Sequence, residues 1–161
     1  MEFCPGSLKE IIEYTRRKKR ILPLLTKLNI LLQIASCIAY LHHQTQPISH
    51  GNLHPGNVLV SSTLTPLLSD LFLVEPEQRI LHKQYSNSFT APECRVLNKP
   101  TTAADIFSLG CLILWVLTDG EKEVTPEMDY SLLDMPPDVQ VMIQRCCNKI
   151  PSVRFLLVNY M

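Results

Sequence analysis

The sequence predicts an α+β fold that is mainly helical, with a few short strands gathered near its middle. Three observations carry that expectation. Apolar residues recur at helical spacing in two stretches, Leu28, Leu31, Leu32, Ala35, Ile38 and Ala39 in one and Val139, Met142, Ile143 and Cys146 in the other. Between them, apolar pieces at 48–49, 58–60, 66–68 and 73–74 alternate with Gly, Pro, Asn and Asp, the texture of short strands joined by tight loops. The most apolar run, 106–117, is too short for a bilayer and suits a buried core helix.

The elements follow in order. A first helix begins at Ser7, which can act as N-cap, with Glu10 three residues on completing a capping-box pattern. It passes through Leu8, Ile11 and Ile12 and fades in the basic run Arg16, Arg17, Lys18, Lys19, Arg20. Such a run suits a helix C-terminus and the solvated loop after it; its alternatives are a localisation signal or a phosphate contact. The second helix ends near Leu41, His42 and His43, and those adjacent histidines read as structural, since no carboxylate completes a metal set beside them. After the strands, a polar irregular stretch covers 75–89, helical pattern returns over 104–118, and a Pro-rich linker crosses 125–137.

Composition sets mild limits. A chain of 161 residues, 46% hydrophobic, holds one domain with a sizeable core. Lys plus Arg balances Asp plus Glu at 15 each, so no global field points to nucleic acid or to a membrane, and neither is expected as a partner. The six cysteines lack paired zinc spacing, and most sit in apolar helical patterns as buried thiols do. That usage reads as a reduced, cytoplasmic protein. Glu2 and Pro5 interrupt any apolar start, so no signal peptide is read.

The window His50-Gly51-Asn52-Leu53-His54-Pro55-Gly56-Asn57-Val58-Leu59-Val60 resembles a protein-kinase catalytic loop, His-Arg-Asp-Leu-Lys-Pro-x-Asn followed by an apolar strand. Four further motifs stand in the order of that family. Residues 1–8 resemble the hinge running into the first helix of the C-terminal lobe, and Ser69-Asp70-Leu71-Phe72 lies where Asp-Phe-Gly belongs. Phe89-Thr90-Ala91-Pro92-Glu93 is similar to the Ala-Pro-Glu end of the activation segment, and Asp105-Ile106-Phe107-Ser108-Leu109-Gly110 to the start of the central buried helix. The stretch 146–154 ends in Arg154, at the position of the Arg that pairs with the Ala-Pro-Glu glutamate. The resemblance has a soft lean towards the tyrosine-kinase and tyrosine-kinase-like branches. It implies one kinase-like domain over 1–156, C-lobe only and starting at the hinge, with 157–161 as its C-terminal end.

No Gly-rich phosphate loop, strand lysine or partner glutamate precedes this hinge. The N-lobe is therefore read as absent, through a truncated gene model or a half-kinase made as such. ATP and Mg²⁺ are expected only where an N-lobe completes the pocket, with Met1, Glu2, Cys4 and Leu59 on the nucleotide side and Asn57 and Asp70 as metal positions.

The resemblance also carries departures. Asn52 stands at the catalytic Asp and cannot take a proton, a loss worth on the order of 10²–10⁴ in rate. His54 replaces a lysine that would touch the transferred phosphate; a loop histidine without a role is the other reading. Gly51 removes the guanidinium that grips a phosphorylated activation segment, and Phe72 replaces a glycine. Tyr85, Ser86, Ser88 and Thr90 are candidate phosphorylation positions.

The scaffold positions are kept. His50 is expected in the hydrophobic column under the active site with its polar nitrogen satisfied, Asp105 as acceptor for the catalytic-loop N–H groups, and Glu93 with Arg154 as a buried ion pair. Leu8, Leu59, Leu112 and Val116 match the column under adenine. The expected function is that of a catalytically impaired kinase-like domain, acting in signalling through protein partners or allostery. The alternative is an active protein kinase whose N-lobe lies outside this sequence. Leu8, Val58, Leu59 and Leu71 are expected on an apolar face that a partner or N-lobe covers.

Overall fold

The Ser7 side chain starts the first helix as the capping box requires. In the computed structural model, which describes residues 6–71, 87–97, 99–125 and 128–154, the Ser7 hydroxyl accepts from the Glu10 N–H at 3.3 Å, and Glu10 Oε2 accepts from the Ser7 N–H at 2.8 Å. Helix α1 (Leu8–Arg17) follows strand β1 (Gly6–Ser7) directly and ends in the basic run, with Lys18 as C-cap. Leu8 and Ile12 are its buried residues.

Helix α2 (Leu24–His42) ends at His42, as its pattern predicts. Its buried stripe is Lys27, Ile30, Leu31, Ile34, Ile38 and Ala39. Leu28 and Leu32, expected in that stripe, face outward, because the helix is apolar around more than one face and periodicity alone could not choose between them. Lys27 is tolerated in the core because its ammonium reaches Asp119 Oδ2 at 2.8 Å. By length and composition α2 passes the test for a membrane span, at a mean hydropathy of 1.6, yet a third of that window is buried and the helix packs on α4 and the sheet.

Strands β2 (Val58–Val60) and β3 (Pro66–Leu68) pair antiparallel, with Val58 opposite Leu68 and Val60 opposite Pro66. β1 adds to the other edge of β2, so the sheet order is β1-β2-β3. Neither the two-residue β1 nor the short helix α3 (Pro92–Leu97) is signalled by periodicity. Residues 48–49, read as strand, are irregular backbone, and 73–74 lie outside the described residues. Strand alternation also corrects the expected uncovered face. Val58 and Val60 point into the core, and Leu8 turns inward from α1, so only Leu59 and Leu71 of the four stay partly open.

Helix α4 (Thr102–Leu117) is the centre, buried on every side from Ala104 to Val116. Thr101 caps it by accepting from the Ala104 N–H. Gly110 lets helix α5 (Pro137–Cys146) approach, since a Cβ there would stand 2.6 Å from Cys146 Cβ and 2.7 Å from Cys147 Sγ. On α5, Ile143 and Cys146 are buried while Val139 and Met142 are half-buried against the core. The Pro-rich linker contributes a 3-10 turn over Tyr130–Leu132. Cys94, Cys111, Cys146 and Cys147 are buried free thiols, and Cys37 is exposed.

Candidate functional site

The 50–57 loop hangs on one buried carboxylate. Asp105, in the first turn of α4, accepts from the His50 N–H through Oδ2 and from the Gly51 N–H through Oδ1, both at 2.8 Å. The His42 ring, at the end of α2, places Nε2 2.8 Å from Oδ2 as a third donor. Two helices and the loop thus meet on a charge that burial would otherwise make costly. The contact gives His42 a structural role; a buried aspartate at a helix start, in need of several donors, was the one signal for it. Gly51 has φ +73, a backbone region that glycine enters without steric penalty.

His50 is fully buried. Its Nδ1 accepts from the Asn52 N–H at 3.3 Å, which leaves the proton on Nε2, and that group has no partner among the described residues. The Ser69 backbone is a polar group that also pulls on the ring. Burial lowers its pKa below the ordinary 6.5, against the pull of Asp105.

Asn52 is half-buried beside the end of the activation segment, where Phe89, Thr90 and Ala91 close a small crevice against α4. Ser108 on α4 donates to the Phe89 carbonyl at 2.8 Å and holds that wall in place. The backbone of Asn52 is tied on both sides, through its N–H to His50 and through its carbonyl to Asn57 Nδ2 at 3.0 Å. Its own side-chain amide makes no hydrogen bond among the described residues.

His54 caps the 3-10 turn Pro55–Asn57, Nδ1 accepting from the Gly56 N–H at 3.1 Å. Burial lowers its pKa, and the neighbouring His50 and Lys9 lower it further, so the ring is neutral near pH 7. The ring thus holds the turn.

Asn57 is buried with Nδ2 committed to the loop, and its carbonyl accepts from both the N–H and the hydroxyl of Ser69. The β2–β3 register sets Asn57 against Ser69, so Asp70 follows at the same end of the hairpin. Asp70 is exposed, with φ +55. Leu59, flanked by inward Val58 and Val60, takes the opposite face of the sheet with its register partner Leu67. Leu8, Leu112 and Val116 are fully buried beneath. Met1, Glu2, Cys4, Phe72, Tyr85 and Ser86 lie outside the described residues.

At the far end of the activation segment, Arg154 grips Glu93 in a fork, Nη1 to Oε1 at 2.5 Å and Nη2 to Oε2 at 2.9 Å. The same guanidinium donates to the Ala103 and Asn148 carbonyls and lies 5.1 Å over the Phe107 ring. Burial, the largest influence, would raise the pKa of Glu93, but the Arg154 hydrogen bonds, a backbone hydrogen bond and the Arg154 charge together hold the carboxyl below its ordinary value.

A family model described as protein tyrosine and serine/threonine kinase matches residues 1–157. This chain belongs to that kinase family. Its helical body with a small three-stranded sheet is a kinase C-lobe-like α+β arrangement. Among curated relatives from Arabidopsis thaliana, a probable LRR receptor-like serine/threonine-protein kinase is 36% identical over 73% of this chain and 13% of its own length. The LRR receptor-like serine/threonine-protein kinase EFR is 30% identical over 81% of this chain and 14% of its length. The inactive leucine-rich repeat receptor-like protein kinase CORYNE is 32% identical over 78% of this chain and 31% of its length. The kinase-family chain thus spans less than a third of these relatives.

Within the kinase frame, the question is what the loop still holds. Among the described residues no group of three or more His, Cys, Asp or Glu side chains is placed for a metal ion. Mg²⁺ does not demand one, since it is commonly held by one or two protein oxygens plus phosphates and water. Asn57 and Asp70, brought to one end of the hairpin, fit that partial set.

Proposed function

We propose that this chain is the C-lobe of a kinase-like domain that is catalytically impaired and acts in signalling by protein interaction or allostery. The observation that supports it is the contrast at residue 52. An intact frame (Asp105 under the loop, Arg154 on Glu93) presents a neutral amide where the family's general base stands. An amide orients a hydroxyl but cannot accept its proton. His54 is a weaker cation towards a phosphate than a lysine would be, because its Nδ1 serves the turn and burial disfavours its charged form. The proposed setting is cytoplasmic, and the proposed partners are proteins that meet the partly open Leu59 and Leu71 side or the surface around it.

ATP with Mg²⁺ belongs to the proposal only where an N-lobe covers the site. Asn57 Oδ1 and the Asp70 carboxylate would then hold the ion, and Leu59 would lie under the base. The bound ion would neutralise phosphate charge. The residues of this chain supply position rather than proton transfer.

The second reading, an active kinase completed by an N-lobe, is favoured by the retained Asn57 and Asp70. The relatives' names do not choose, since serine/threonine-protein kinases and an inactive kinase stand side by side. Phosphoryl transfer by this chain, together with any upstream coding sequence, separates the two. The proposal expects transfer on the order of 10²–10⁴ below ordinary kinase rates, with a gain on Asn52→Asp. Ordinary rates that Asn52→Ala abolishes would sink it.

A further inference from the structure

The segment joining α1 to α2 runs five consecutive basic residues directly into a helix that bares an apolar face. Arg16, Arg17, Lys18, Lys19 and Arg20 are all exposed. Arg16 donates to the Gly120 carbonyl and Arg17 to the Glu13 carbonyl, while Lys18 rests over the Tyr14 ring. Among the described residues no ion pair neutralises any of the five. Of the carboxylates near this segment in sequence or contact, Asp119 is engaged by Lys27 and Glu13 by Lys9. Glu121 and Glu123, on the loop past Gly120, alternate with Lys122.

Directly after this run come Ile21, 73% exposed, and then Leu24 at 62%, Leu25 at 73%, Leu28 at 47% and Leu32 at 66%. At 3.6 residues per turn the four leucines share one sector roughly 100° wide. It lies beside the stripe that α2 buries against the core, and Asn29, Gln33 and Ser36 occupy the flank beyond it. This distribution separates lying on a membrane from crossing one. Lys27, Ile30, Ile34 and Ile38 are committed to the core, so α2 cannot leave the fold to span a bilayer, but its leucine face is free to enter an interface.

We propose that the 16–32 segment docks on an anionic membrane surface, the basic run on lipid headgroups and Ile21, Leu24, Leu25, Leu28 and Leu32 at the acyl boundary. Charge complementarity selects this occupant: a purely apolar partner would leave the five cations unmatched, and a purely acidic one would leave the leucines in water. The balanced net charge concealed the site, because what matters at a surface is the local cluster within a Debye length. The inference does not depend on whether the kinase-like domain is active.

Co-sedimentation of the full chain with vesicles tests it. One set is phosphatidylcholine alone and the other a three-to-one mixture with phosphatidylserine. Binding is expected to the mixed vesicles and not to the neutral ones. The double variant Lys18→Glu, Arg20→Glu should weaken it more than tenfold, given roughly fivefold for each basic residue at an anionic surface. The triple variant Leu24→Gln, Leu25→Gln, Leu32→Gln should also lose binding. All these side chains are exposed, so circular dichroism should show both variants folded. Equal binding to neutral vesicles, or no binding, overturns the proposal. So does serine-lipid binding that the leucine variant retains, which would leave a charge patch alone. Displacement of the vesicles by a single-stranded oligonucleotide would assign the basic run to nucleic acid instead. A leucine-dependent dimer that binds no vesicles would assign the face to a second copy.

Discussion

On the inner side of the 50–57 loop, Asp105 takes the His50 and Gly51 N–H groups and the His42 ring, whereas on the outer side the Asn52 amide meets no partner among the described residues. The inner side is buried and crowded with donors, and on the outer side Asn52 borders the crevice that Phe89, Thr90 and Ala91 close. The loop's shape is therefore set from below and owes nothing to the group that would perform chemistry above. The residue at position 52 can therefore change while the frame is kept, because the frame does not rest on its side chain.

The comparison breaks most readily at Asp105. Asp105→Ala strands two backbone N–H groups and the His42 ring in the interior, and should cost about 3–5 kcal/mol. Chemical denaturation should show this as a lowered midpoint or as failure to fold. Asp105→Asn keeps the size but offers one acceptor oxygen where two are used, so it should recover only part of the loss. Midpoints for Asp105→Ala equal to the parent would mean the loop is held from elsewhere. Glu93→Gln comes next. It leaves Arg154 buried against a neutral amide and should cost about 1.5–3 kcal/mol, with the end of the activation segment more open to protease.

How much of this was legible in the sequence follows from the range of the forces involved. Ser7 with Glu10 announced a helix start because the capping box acts within one turn. Asp105, Glu93 and Arg154 were legible through family resemblance, and their contacts span more than fifty residues, which no local pattern encodes. Leu28 and Leu32 were misplaced because α2 is apolar on two faces, and only the position of α4 decides which one is buried. Val58 and Leu59 were assigned to one face although adjacent strand residues must part. The tautomer of His50 was beyond reach, since it follows from the hydrogen bond its Nδ1 accepts from the Asn52 N–H. The capping role of His54 was local, a side chain accepting from the N–H two residues on, and could have been read from a His-Pro-Gly turn.

Gly110→Ala probes the frame more gently. The added methyl would press on Cys146 and Cys147, so α4 and α5 must part slightly, at a cost of about 1–3 kcal/mol. A thermal-unfolding shift should accompany it, smaller than that of Asp105→Ala, while contacts at the loop stay in place. An unchanged melting temperature would show that α5 can move aside freely.

Acid titration sharpens the comparison by separating these groups along the pH axis. His50 and His54 have folded pKa values below the ordinary 6.5, so the unfolded chain binds protons first, and stability should begin to fall as pH drops through about 6.5. Glu93 lies below its ordinary 4.5, so its contribution is complete above that pH and is lost as pH falls through its lowered folded value. Two descending stages are expected, with Glu93→Gln reducing only the lower one.

The smallest expected effect is the most informative about function. Asn52→Asp places a charge on a half-buried side chain that no described group engages, over a backbone already tied by His50 and Asn57. Stability should change by no more than about 0.5 kcal/mol, the range for substitutions away from buried networks. If the outer side is indeed independent of the frame, the variant will melt with the parent while any phosphoryl transfer by the extended chain rises. A large loss of stability would instead mean that the amide is needed where it stands. The inner and outer sides would then be one unit, and the replacement at 52 would have been made for structure rather than through release from catalysis.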